Sequence, residues 1–223
     1  MARKAGREER PQTMARYELP ISDPTPDLSP TAARILEAAK RVLARDGFRA
    51  LTFEKIAAEA GENPALIRYH FGSKAGLIAM LIDSVMYLES VELIEQLTSV
   101  PPGEERRKAL FRLHERYARD TAAYQMFYEI IPHIVRDEEL RPHLRDLFDW
   151  YRKLDAWALG AQEGGQPPSQ LEPLALLTVA LADGVALQVQ ADPDLDIGPA
   201  FDTWRALVLG YLEAGATSPA GDV

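Results

Sequence analysis

The chain has 223 residues, 47% hydrophobic and 26% charged, with no cysteine and a formal net charge of −9. This composition is that of a globular protein of one large domain or two smaller ones, and it excludes a disulfide framework, a thiolate metal site and a cysteine nucleophile. The charge is uneven: residues 1–74 hold 13 Lys and Arg against 10 Asp and Glu, and the remainder holds 12 against 24. One end can therefore meet a polyanion while the other is repelled by it, although charge alone leaves DNA binding an even choice.

Residues 1–28 are charged, proline-punctuated and without periodicity, and read as a disordered tail. Their basic residues are followed by no apolar stretch, so no signal peptide is expected and the chain reads as cytoplasmic. From Ser29 onward the pattern is helical. Ser29 caps a first helix with Pro30 at its first position, and Ile35, Leu36, Ala39, Val42 and Leu43 form one stripe. Gly47 ends it, and Phe48 can fold back as an apolar lock. Thr52 caps a short second helix that Gly61 stops, and Asn63 with Pro64 opens a third of about two turns, ending at Phe71 and Gly72.

Ser73 caps a long fourth helix to about Leu97. A fifth spans about Glu104–Arg119, a sixth about Thr121–Val135 with Pro132 bending or ending it, and a seventh about Pro142–Gly160. After the loop "EGGQPPS" come two more, about 170–190 and 198–213, and residues 215–223 read as loose. "LEPLALLTVALADGVALQVQ" is the most apolar long segment, but Glu172, Pro173 and Asp183 interrupt it, so it reads as a buried helix and not a membrane span. The expected fold is all-α with nine helices.

The stretch "AAEAGENPALIRYHFGSK" carries the most chemistry. Two short helices around a glycine corner make a helix-turn-helix candidate. Ala57 is small where the helices cross, and Ile56, Ala60 and Ile67 supply the apolar seam. Burying that seam leaves Pro64, Ala65, Arg68 and Tyr69 on the outward face of the third helix, whose diameter fits the DNA major groove. Arg68 suits guanine O6 and N7, while Ala65 and Pro64 suit a thymine methyl. Tyr69, His70 and Thr52 suit phosphates, with Asn63 shaping the helix start. Lys74 stands in the first turn of the fourth helix, where the macrodipole disfavours a cation. Alone it would simply extend into water; beside Tyr69 and His70 it reads as a phosphate contact.

"LTFEKIAAEAGENPALIRYHFGSKAGL" resembles the DNA-binding signature of TetR/AcrR-type transcriptional regulators, over about 45 residues from Ala33 to Leu77. The resemblance implies a helix-turn-helix DNA-binding domain at 29–74, a ligand-binding and dimerisation domain at 75–214, and a homodimer that releases a palindromic operator when a small molecule binds. One position departs from the pattern: Glu62 follows the corner glycine where a small apolar residue is usual. That places a carboxylate near the DNA-facing surface, where it either weakens backbone contacts or caps the next helix.

Dimerisation has its own physical reason, since one short recognition helix contacts too little DNA to be specific. The last two helices would pair with their symmetry mates as a four-helix bundle through Leu176, Val179, Leu187, Trp204, Leu207, Val208 and Tyr211, each of which reads equally well as intramolecular core. Met86, Tyr87, Tyr117, Tyr124, Phe127, Tyr128, Trp150, Trp157 and Asp183 are the candidate lining of an effector pocket, against the plainer reading that aromatic residues at helical spacing are core. Neither a cofactor nor a metal is expected. His70, His114, His133 and His143 lack metal-ligand spacing, and His133 with His143 has no third ligand. No Gly-rich phosphate loop or serine elbow supports an enzyme. The rival reading is a helical small-molecule-binding protein that no longer binds DNA, supported by Glu62 and the net acidity.

Overall fold

In a computed structural model, residues 28–160 and 169–217 are described, and they contain nine α-helices and no strand. The helices are α1 (Pro30–Asp46), α2 (Phe53–Ala60), α3 (Pro64–Phe71), α4 (Lys74–Thr98), α5 (Glu104–Arg119), α6 (Thr121–Ile134), α7 (Arg141–Leu159), α8 (Glu172–Ala191) and α9 (Gly198–Thr217). The expected tail at 1–28 and the "EGGQPPS" loop lie, almost entirely, outside the described residues, as does most of 215–223.

The starts of the first four helices follow the sequence closely. Ser29, Thr52, Asn63 and Ser73 each accept a hydrogen bond from a first-turn amide: Ala32 at 3.2 Å, Lys55 at 3.2 Å, Ala65 at 2.8 Å and Gly76 at 3.0 Å. Pro132 lies inside α6, one turn from its end.

Two apolar cores organise the packing. The first joins α1, α2, α3 and the start of α4 (Leu77, Ile78, Leu81, Ile82) to Ile130 and Ile134 of α6 and to Leu140, Leu144 and Leu147 at the start of α7. The second joins the far half of α4 to α5, the rest of α7, α8 and α9, around Leu110, Trp150, Trp157, Phe201 and Trp204. α4 runs through both. α8 is apolar and long enough to cross a bilayer by composition, but Leu174, Ala175, Thr178, Val179, Ala182, Ala186 and Val189 are buried in the protein.

The two halves are also tied by a polar contact, His143 Nε2 of α7 to the Asp83 carboxylate of α4. Hydrogen bonding to Asp83 holds the His143 imidazole above its ordinary value, against partial burial, with the charges of Asp83 and Asp146 adding to it. A folded-state value above the unfolded one stabilises the fold fully below the ordinary histidine value and loses that contribution as pH rises through the raised one. His143→Gln should therefore lower the melting temperature most at acidic pH, with the gap closing in alkali. Because the pair is partly solvated, the largest difference should be about 0.5–1 kcal/mol, read from urea titrations of both proteins across the pH range.

Candidate nucleic-acid interface and effector domain

α2 ends where Gly61 takes the left-handed conformation (φ 68, ψ 32), and the Glu62 amide donates back to the Ala57 carbonyl at 2.9 Å. This close turns the chain sharply at a cost that only glycine avoids. Ile56, Ala57 and Ile67 are fully buried between the two helices and α1, with Phe71 sealing the far end. α3 can then show only its other side. Pro64, Ala65, Arg68 and Tyr69 are exposed, Tyr69 at 80%. Thr52, Asn63 and Lys74 are exposed as well, and His70 is half-buried with its ring edge-to-face on Tyr69 at 4.9 Å. The structure thus keeps the whole candidate set around one helix, with only His70 partly withdrawn.

Arg68 has no acidic partner among the described residues. Lys74 does have a neighbour that the sequence did not suggest: its ammonium lies 5.5 Å from the Phe48 ring centroid. That contact offsets part of the macrodipole's penalty without any phosphate. Glu62, the departure from the family pattern, is held by Arg34 of α1, whose Nε donates to it at 3.1 Å. The other carboxylates of this region are matched in the same way. Glu59 takes Arg41 and Arg45, and Asp46 takes Arg45 and Lys55. The acidic residues of α1 and α2 therefore stitch the helices together, and their charges are compensated on the spot.

Phe48 connects this region to α6. Its ring stacks on His133 at 3.9 Å with an interplanar angle of 8°, and its amide donates to Glu129 Oε2 at 3.4 Å. His133 and His143, considered together as possible metal ligands, are thus engaged separately, one by Phe48 and the other by Asp83.

The candidate pocket residues divide. Phe127 packs with Phe148 on the first core, whereas Tyr117, Tyr128, Trp150 and Trp157 belong to the second. Tyr87 and Asp183 are half-buried, and the side chains of Met86 and Tyr124 lie outside the described residues. Trp157 is covered by the Arg106 guanidinium, 4.0 Å above its ring. The Tyr128 hydroxyl donates to the Asp183 carbonyl; burial, then the Asp183 charge, push that phenol up to about 12, against a backbone hydrogen bond at Leu187. The sequence gave no sign of a buried pair at the centre of this half, His114 Nε2 to Asp155 Oδ2 at 2.9 Å.

Of the expected dimer residues, Leu176, Leu187, Leu207 and Tyr211 are more than half exposed. Val179, Trp204 and Val208 are corrected: they are buried in the chain's own second core, where Trp204 meets Phe111 and Phe201 edge-on. Helical spacing alone could not separate the two faces of α9, since both are apolar.

A tri-helical head with a glycine-cornered recognition helix on a larger helical body defines a helix-turn-helix regulator of transcription. Residues 35–81 match the family described as bacterial regulatory proteins, tetR family. The chain is 30% identical over 158 residues to the HTH-type transcriptional regulator BetI of Rhizobium meliloti (strain 1021), covering 69% of this chain and 75% of that one. The fold matches a transcriptional regulator from Rhodococcus sp. Rha1 with a TM-score of 0.64 at 19% identity, over 86% of this chain and all of that one. It also matches a Saccharomonospora viridis protein solved in complex with choline, with a TM-score of 0.60 at 25% identity, over 81% and 94%. The chain belongs to the TetR family of bacterial transcriptional regulators, and it is a ligand-responsive DNA-binding protein of that kind.

If Arg34 neutralises Glu62, removing the arginine should harm DNA binding more than removing the acid. Arg34→Ala should weaken operator binding about two- to fivefold at low salt, as expected for one uncompensated surface charge near phosphates. Glu62→Gln should bind at least as well as the parent, and the double variant should regain most of the loss, as read by fluorescence anisotropy in a double-mutant cycle.

Proposed function

We propose that the chain is a cytoplasmic homodimeric repressor whose paired α3 helices read a palindromic operator, and that a small molecule held among α4–α9 releases it. In this reading residues 29–74 are the DNA-binding domain and 75–214 the effector and dimerisation domain. The observation that carries the DNA half is the division of α3: Ile67 and Phe71 are buried, while Pro64, Ala65, Arg68 and Tyr69 face solvent beside Lys74. Arg68 reads a guanine edge, Ala65 and Pro64 meet a thymine methyl, and Thr52, Asn63, Tyr69, His70 and Lys74 hold the phosphates that set the register.

The dimer half is supported by exposed stripes on the last two helices. On α8, Leu176, Ala180, Gly184 and Leu187 follow one another at helical spacing, all exposed; on α9, Thr203, Leu207, Gly210 and Ala214 do the same, flanked by Tyr211. Leucines separated by small residues let helices approach closely, and a second copy supplies the same surface by twofold symmetry. Such a pair would hold two recognition helices about 34–36 Å apart, one turn of DNA, or a multiple of it.

Release follows from α4, which begins beside the recognition helix and ends in the second core. An effector that favours a tilted α4 by a few kcal/mol moves the recognition helices off their spacing. That the Saccharomonospora viridis relative was solved with choline supports a small-molecule effector here.

Two sets of variants test the two halves. Arg68→Ala should relax sequence preference by about 1–3 kcal/mol at one base position, while Lys74→Ala should weaken all sequences alike and lower the salt slope by about one. If neither change affects operator affinity, the chain is a ligand-binding protein that has lost DNA recognition. Leu207→Glu should give a monomer by light scattering and lose operator binding at concentrations where the parent is bound. A dimer that survives with Leu207→Glu and Leu176→Glu combined would move the interface elsewhere.

A further inference from the structure

The His114–Asp155 pair lies where α5 and α7 meet in the second core, and its geometry is incomplete. Asp155 is fully buried, and Oδ2 meets His114 Nε2 at 2.9 Å. Oδ1 is equally buried and has no hydrogen-bond partner among the described residues. A buried carboxylate oxygen without a donor is costly, and the fold keeps it. Aromatic side chains surround the pair. Trp204 of α9 presents its ring to His114 at 5.8 Å and 89°, Tyr117 lies on the same face of α5, and Tyr151 is one turn before Asp155 on α7.

The charged groups facing His114 come from each packed helix. Asp155 is on α7 and Asp183 is on α8, where Tyr128 of α6 donates to its carbonyl. On α9, Arg205 is taken by Glu115 and Asp202; on α4, Glu92 is taken by Arg116. Two carboxylates against one histidine leave the site with an excess negative charge even when the imidazole is protonated. An anion is repelled there. A neutral guest can offer a hydrogen bond to Oδ1 but leaves the charge standing. An ammonium group satisfies both, and the aromatic rings suit it.

Resting on the effector reading above, we propose that Asp155 and His114 form the polar end of a site for a small organic cation, and that cation and proton compete for the same carboxylate. The bound ammonium takes Oδ1, and the imidazolium beside it gives its proton to solvent, becoming neutral imidazole. Burial alone would push the His114 imidazole down, but the charge and hydrogen bond of Asp155, with the charge of Asp183, hold it above its ordinary value. The free protein therefore carries the proton into the neutral range, and cation affinity rises with pH until that proton is already lost.

The test uses the full chain, choline as the cation, and its neutral carbon isostere 3,3-dimethylbutan-1-ol. Calorimetry should show choline binding at least about tenfold tighter than the alcohol, as expected where charge and not shape is recognised. Choline affinity should rise about three- to tenfold between about pH 6 and pH 8, with protons released in proportion, seen as a difference between phosphate and Tris buffers. Asp155→Asn should bring choline down to the level of the alcohol. His114→Gln, which keeps a donor on Asp155, should bind choline with no proton release. Equal affinity for the two compounds, no choline binding at millimolar concentration, or a pH-independent choline affinity in the parent protein would each overturn the proposal. Operator binding measured in parallel separates the failures: an alcohol that binds and frees the DNA preserves the effector reading without the cation.

Discussion

An eight-residue helix does not hold together in water by itself, and everything the DNA-binding region does depends on supplying α3 with something to lean on. The buried seam of Ile56, Ala57 and Ile67 provides it, and the left-handed Gly61 fixes the angle at which α3 meets that seam. With the inner face committed, the outer face has no freedom left. Arg68 and Tyr69 stand out because Ile67 and Phe71 cannot. Specificity in such a protein begins as a packing constraint, and the polar side chains inherit their direction from it.

The same packing links recognition to the rest of the molecule. The first core does not stop at the three-helix head; it takes in the start of α4 and reaches α6 and α7 through Ile130, Ile134, Leu144 and Leu147. Phe48 marks the seam. It is stacked on His133, bonded through its amide to Glu129, and covered by Lys74 from the first turn of α4. A close-packed contact of this kind transmits displacement because it cannot be compressed. Movement of α6 or α4 must carry the head with it, or break the stack.

Much of this was legible beforehand because local rules wrote it. Cap residues, Pro at first positions and glycine stops placed the first four helices, and the 3.6-residue period placed the rest. The long-range pairs were not legible. Arg34 and Glu62 are 28 residues apart, His114 and Asp155 are 41 apart, and Phe48 meets His133 across most of two helical layers. No periodicity encodes such distances. α9 shows the limit of pattern reading in another way. Trp204 and Val208 look as suited to a partner as Leu207 and Tyr211, yet the first two are buried under Phe111 and Phe201 while the others face solvent. Where both sides of a helix are apolar, only the neighbours decide which is core.

The net charge of −9 seemed to oppose a polyanionic partner, and the arrangement resolves it. In the head, Glu59, Glu62 and Asp46 are spent on arginines and Lys55 of adjoining helices, so the acids add rigidity without adding much field. The excess acid sits beyond residue 74. There it repels a duplex that approaches in the wrong orientation and leaves the basic end to lead. Inside the body the same surplus takes a different form, as two carboxylates near one histidine in a dry, aromatic interior. The sign of the charge is the same in both places, but its consequence differs with the dielectric around it. On the surface it orients the molecule, and in the core, where screening is weak, it selects what can be admitted.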